Sequence, residues 1–331
     1  MKKIAFLWLL LAALPVSAGF TEGMSYYDNQ QYSQAFAEFK PLADRGDEKA
    51  QYYVAYMYLN GYGVSQDENK GLDYLQKSVN QGFEKSLAMM GYFLSEGLHV
   101  PMDKQKGIEL YQKAAEKGDD DALLNLGVLY YLGDGVDQDT RIALDYFQKV
   151  NMASKPLVGR YIANIYQASG NPEEQAKVKT LYMTAGANGD LGSIHSLAYL
   201  YQTGPENERN IAEAVKCYTY AASQSFAASQ YALGTLYANG NGVEKNILTA
   251  YAWLSLAANQ NFPVAIQAQK QLEENMTLSE LEKARREMIE IQRNVMGKVE
   301  SPLKDFLTSG GNSTATSEQN RRRRPGGRRR R

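Results

Sequence analysis

Apolar side chains recur at helical spacing from Ala50 to Leu59, stop at Asn60-Gly61-Tyr62-Gly63-Val64, and resume from Lys70 to Gln81 before Gly82. Apolar positions three and four apart share one face of a helix, and glycine after such a run ends it. The stretch 48–83 therefore predicts two amphipathic helices joined as a hairpin. The same pattern returns about every 36 residues, giving units 48–83, 84–119, 120–155, 156–190, 191–226 and 227–262. A shortened unit, 19–47, precedes them, with Phe20–Gln31 and Tyr32–Arg45 joined at Asn29-Gln30-Gln31. One hairpin cannot bury its apolar face alone, so copies must stack. The expected fold is all-α: an α-solenoid of about seven helix-turn-helix units closed by capping helices over 263–300.

Aligned in this register, the units show columns. The eighth position holds Ala55, Gly91, Gly127, Ala163, Ala198 and Gly234, and the eleventh Tyr58, Leu94, Tyr130, Tyr166, Tyr201 and Tyr237. In the second helix a small column, Gly71, Gly107, Ala143, Ala214 and Ala250, precedes a large one, Leu75, Tyr111, Phe147, Tyr182, Tyr218 and Leu254. Small residues let two helix backbones approach, and the large columns are expected to fill the groove between units. The unit 156–190 is one residue short and follows the irregular junction Asn151–Pro156, where a bend is expected. Near the end, Thr277-Leu278-Ser279-Glu280 reads as a capping box opening a final helix to about Val295, with Glu282, Lys283, Arg285, Arg286 and Glu290 on its outer side. From Ser301 the apolar rhythm ends, and 301–331 reads as a disordered tail.

Four segments, AQYYVAYMYLNGYGV at 50–64, KGIELYQKAAEKGD at 106–119, LLNLGVLYYLGDGV at 123–136 and SQYALGTLYANGNGV at 229–243, resemble the units of the Sel-one-like repeat family, relatives of tetratricopeptide repeats. The resemblance covers roughly residues 20–296. It implies an α-solenoid adaptor or scaffold, often exported in bacteria and tied to envelope assembly, signalling or host contact, with no shared catalytic centre. Some exported relatives pair cysteines within each unit. This chain has Cys217 alone, so it lacks those pairs, and a β-lactam-related activity gains no support.

Composition adds a direction. Lys2 and Lys3, the apolar run Ile4–Leu14 and Val16-Ser17-Ala18 before Gly19 read as a secretory signal over 1–18, placing the rest in the periplasm or outside the cell. The apolar run is shorter than the roughly 20 residues that span a bilayer. The formal net charge of −1 hides a separation: 35 acidic and 25 basic groups over 19–300 against 9 basic and 2 acidic over 301–331. An acidic body argues against nucleic-acid binding by the folded part.

No catalytic, metal or cofactor constellation stands out, so the chain reads as a non-enzyme. His99 falls in a loop where other units have glycine. His195 takes the column of Tyr52 and Tyr231 and reads as packed. Ser301-Pro302-Leu303-Lys304 matches the letters SxxK but lies at the start of the tail. Asp134, Asp137 and Asp139 lack EF-hand spacing and read as turn and cap residues. Cys217 reads as packing. An envelope hydrolase is the rival class, and an enclosed pocket joining His195 to an acid would be its signature.

The positive signal lies on the first helices. Positions two, six, nine and thirteen share a face, and there Tyr53, Tyr56, Tyr92, Asn125, Tyr161, Asn164 and Tyr199 are candidate contacts for a protein or peptide partner. The alternative is that these rings cover neighbouring turns. The arginines Arg321, Arg322, Arg323, Arg324, Arg328, Arg329, Arg330 and Arg331 fit a tether to anionic lipid or lipopolysaccharide, a segment folded back on the acidic body, or, without export, RNA.

Overall fold

The computed structural model describes residues 16–206, 209–304 and 306, with side chains from residue 19 onward. Most of the signal segment and the arginines lie outside the described residues. Among the described residues there are sixteen helices and no strand, in two compact units that divide between Lys149 and Val150. The first unit holds α1 (Val16–Asp28), α2 (Tyr32–Asp44), α3 (Glu48–Asn60), α4 (Glu68–Gln81), α5 (Glu84–Glu96), α6 (Lys104–Glu116), α7 (Asp120–Leu132) and α8 (Thr140–Phe147). The second holds α9 (Leu157–Ala168), α10 (Pro172–Ala187), α11 (Leu191–Thr203), α12 (Ile211–Ser223), α13 (Ala227–Asn239), α14 (Ile247–Ala258), α15 (Pro263–Glu273) and α16 (Leu278–Asn294). Within each unit consecutive helices pack as antiparallel hairpins, stacked as a solenoid.

The repeat fixes where each helix begins. Asp67, Asp103, Asp139, Asn210 and Asn246 hold one position of their units, and each side chain accepts a backbone N–H from the first turn of a second helix. Those N–H groups have no partner inside the helix, so a short oxygen-bearing side chain stabilises the start. Asp139 is thus a cap, and Asp134 pairs with Lys104 at 2.6 Å.

The hairpin loops after α3, α5, α7 and α13 each turn through the left-handed region at two sites. At the second, Gly63, Gly135 and Gly242 press on the preceding hairpin, where a Cβ would meet Tyr32, Lys104 and Ile211 respectively. His99 takes this place in the α5–α6 loop with φ of 61°. Its ring packs on Phe93, and Nδ1 lies 2.8 Å from Glu68 Oε1.

The small columns meet, but inside each hairpin rather than between hairpins. A Cβ on Gly91 would lie 3.0 Å from Gly107 O, one on Gly71 would press on Leu59 and Ala55 O, and one on Gly234 would crowd Leu254 and Ala250 O. Tyr111 and Phe147 of the large column lie against Gly91 and Gly127 of their own hairpins. Other groups join successive hairpins. Ser78 Oγ lies 2.6 Å from Ser86 Oγ, Tyr52 meets Phe83 edge-on, and Tyr58 meets Phe36. Buried glutamines tie the second hairpin and the α13–α14 hairpin to their predecessors: Gln51 donates to Ala43 O and accepts from Gln81, while Gln230 donates to Ala222 O and accepts from Gln260.

The end of the array departs from expectation at Ser301. α16 opens with the capping box at Thr277 and Glu280 and buries Ala284 and Ile291. The chain then turns back: Gly297 N donates to Ser223 O at 2.8 Å. Leu303 is buried in the core built from α9 to α12, beside Gly186 and Ile194, and Phe306 packs on the same cluster. Residues 301–304 and 306 therefore belong to the fold, because the apolar side chains of Leu303 and Phe306 hold them against the core.

Candidate binding groove on the first helices

A groove of about 490 Å³ opens on the first unit, lined by Tyr52, Tyr56, Leu59, Asn60, Lys85, Ala88, Met89, Tyr92, Phe93, His99, Asp119, Asp121 and Asn125. Every lining residue comes from a first helix (α3, α5 or α7), from the residue capping α7, or from the α5–α6 loop. Second helices contribute no lining residue.

The walls are aromatic. Tyr56 lies 5.9 Å edge-on from Tyr62 and 6.5 Å from Tyr52, and Tyr92, 45% exposed, lies beside Phe93. Asn60 and Asn125 add amide groups. Asp119 caps α7 through Ala122 N and is itself buried. Burial first, with the negative charges of Asp121 and Glu84, raises its carboxyl above the ordinary range, against the Ala122 N–H it accepts and, more weakly, the Lys85 charge. Burial likewise raises the Tyr52 hydroxyl. The groove thus offers flat rings, amide ends and a local excess of negative potential, a surface suited to contact rather than to bond making.

Of the residues expected on this face, Tyr56, Tyr92 and Asn125 line the groove together. Tyr53 instead enters the aromatic cluster of the first hairpin, stacked on Phe39 at 5.1 Å and meeting Phe20 and Tyr27. The second unit holds the others. Tyr161 lies under Arg160, Tyr199 is 54% exposed, and the Asn164 side chain lies 2.7 Å from the Tyr182 hydroxyl. Lys85 and Asp121 at position two and Asn60 at position thirteen were on the predicted face without being singled out. Tyr52 was assigned to packing, and its edge serves the groove as well.

The catalytic alternative meets a different geometry. His195 Nδ1 lies 3.0 Å from Ser229 Oγ, but Ser229 is fully buried, and the charge that bears on the imidazole is that of Arg160, which pairs with Asp190 at 2.9 Å. A nucleophile needs an open face and its base needs a carboxylate to orient it, and this pair has neither. Cys217 is buried and its thiol pushed up to about 12 by burial, so it is inert packing. Lys304 pairs with Glu300. Among the described residues no group of three or more His, Cys, Asp or Glu stands together as for a metal ion, and no helix is long and apolar enough to cross a membrane.

A family model, the Sel1 repeat, matches residues 48–83, 85–119, 120–149, 192–226 and 227–262, just over half of the chain. The chain belongs to the Sel1 repeat family. Repeats of this family build scaffolds for protein–protein interaction and are typically without catalysis. Two solved structures share the fold. One is a protective antigen present in uropathogenic Escherichia coli strains displaying an SLR fold, 23% identical with a TM-score of 0.75; the match covers 95% of this chain but 65% of that protein. The other is a Sel1 repeat protein from Oxalobacter formigenes, 23% identical with a TM-score of 0.65, covering 73% of this chain and 99% of that one. The matched Sel1 repeats carry the groove. Residues 150–191, where the model finds no repeat, carry the irregular junction, the short loop at Gly170 and the longer α10.

Proposed function

We propose that this protein is an exported adaptor that binds a protein partner on the face formed by its first helices, with the groove on α3, α5 and α7 as the principal contact. The observation that carries the reading is the convergence of Tyr52, Tyr56, Tyr92, Asn60 and Asn125 from three successive hairpins on one open groove. Rigid rings with few rotors lose little entropy on contact, and amide ends hydrogen-bond an extended chain. Export is supported by Lys2, Lys3, the apolar run Ile4–Leu14 and the small residues before Gly19.

Capture of partners from an envelope fraction tests both parts. The triple variant Tyr56→Ala, Tyr92→Ala and Asn125→Ala should lose the captured protein while keeping its helical circular dichroism. Capture that is unchanged in this variant refutes the binding face. Mass spectrometry of the exported protein should find Gly19 at its amino terminus, and a chain retaining Met1 in the cytoplasm refutes export.

A further inference from the structure

The acidity of the folded part is not spread over the array. Residues 19–149 carry 21 acidic and 12 basic groups, a balance of −9, whereas residues 150–300 carry 14 and 13, a balance of −1. Nearly all of the excess therefore belongs to the unit that holds the groove. The groove itself brings Asp119 and Asp121 against Lys85, between the rings of Tyr52, Tyr56 and Tyr92. A guanidinium suits such a place. It stacks on a tyrosine face, pairs with carboxylates by parallel hydrogen bonds and is only weakly hydrated. This chain carries eight arginines between positions 321 and 331, against no other strongly cationic run. The 14 residues between Phe306 and Arg321 span up to about 50 Å when extended, so the place where Phe306 is held does not dictate where the arginines act.

We propose that the groove on α3, α5 and α7 is the docking site for the chain's own arginine-rich segment, Arg321–Arg331, which occupies it as a self-ligand and must be displaced by a partner. The inference rests on reading this groove as a binding face, but its test needs no partner.

The test uses the full chain in two forms, native and with all eight arginines replaced by glutamine, and a fluorescent synthetic peptide of residues 319–331 read by anisotropy at low salt. The glutamine form should bind the peptide. Tyr56→Ala with Tyr92→Ala, or Asp121→Asn alone, should weaken binding about tenfold or more. The second variant replaces an exposed side chain, so it reads the groove even where the double ring variant is destabilised. The native chain should bind the peptide about tenfold more weakly than the glutamine form, because its own segment fills the groove. Peptide binding indifferent to the groove variants places the arginines elsewhere on the acidic surface and overturns the proposal. Equal binding by native and glutamine forms also overturns it, as does native chain that binds anionic vesicles as tightly as the free peptide does. A partner that still responds to Tyr56→Ala and Tyr92→Ala when the peptide does not removes this inference alone. A partner indifferent to those variants, with the peptide sensitive, removes the binding-face reading alone.

Discussion

Acid should loosen the second unit through one residue. His195 stands on α11 against Tyr218 and Phe226, 5.3 and 5.6 Å between ring centres, with Nδ1 3.0 Å from Ser229 Oγ. Burial, and then the Arg160 charge, push its imidazole down from 6.5 to about 4. The group is held neutral in the fold, so the unfolded chain takes up its proton first as pH falls. The stability it supports is complete above about pH 6.5, declines between 6.5 and 4, and is constant below. The gap corresponds to about 3 kcal/mol at its fullest, of which about 2.5 is already lost at pH 4.5. The control is His195→Phe with Ser229→Ala: it keeps a ring against Phe226, and alanine is what Ala50 and Ala122 place at the Ser229 position of their units. Urea unfolding at pH 7.5, 6.0 and 4.5, followed by Trp253 fluorescence in a Trp8→Phe background, reads the second unit, since Trp253 is buried against α16. Wild type should lose about 2.5 kcal/mol more than the control between pH 7.5 and 4.5. Equal losses refute the reasoning.

Gly63→Ala should destabilise by about 2 kcal/mol or more, because it combines a left-handed backbone with a collision against Tyr32, whereas Gly46→Ala meets open space and should lose about half as much in urea titrations. Leu303→Ala should cost about 2–3 kcal/mol in the same assay of the second unit, and no loss would return the segment around Leu303 to the tail. Asp67→Asn with Asp103→Asn and Asp139→Asn should leave the unfolding midpoint within about 2 °C, since asparagine caps as well as aspartate. A fall of many degrees would make those charges structural.

The hairpins were legible because six copies report the same register, so one ambiguous residue is outvoted by its column. Partnership between columns was not legible. A column of glycine and alanine announces close approach without saying which helix approaches, and the structure pairs Gly91 with Gly107 of the same hairpin. The groove was half legible for a related reason. Periodicity places Tyr53 and Tyr56 on one face, yet Tyr53 is drawn off by Phe20, Tyr27 and Phe39 of the first hairpin. Asn164 is drawn off by Tyr182 in the same way. Leu303 and Phe306 escaped notice because two apolar residues three apart carry no period.

The acidity of the first unit can be separated from the needs of the fold by comparing its caps with those of the second. Capping requires an oxygen that accepts a backbone N–H, and asparagine and aspartate serve about equally. Where a side chain caps a helix in the first unit it is aspartate, at Asp47, Asp67, Asp103, Asp119 and Asp139, while α2 and α5 start at Gln31 and Phe83 without a side-chain cap. The second uses Asn171, Asn210, Asn246 and Thr277 beside a single Asp190. The same repeat thus opens its helices with or without charge, so the charge on those five caps is not something capping demands. Charge beyond what capping demands, gathered on the unit that holds a tyrosine-walled groove, is the complement that the proposed docking of the eight arginines requires.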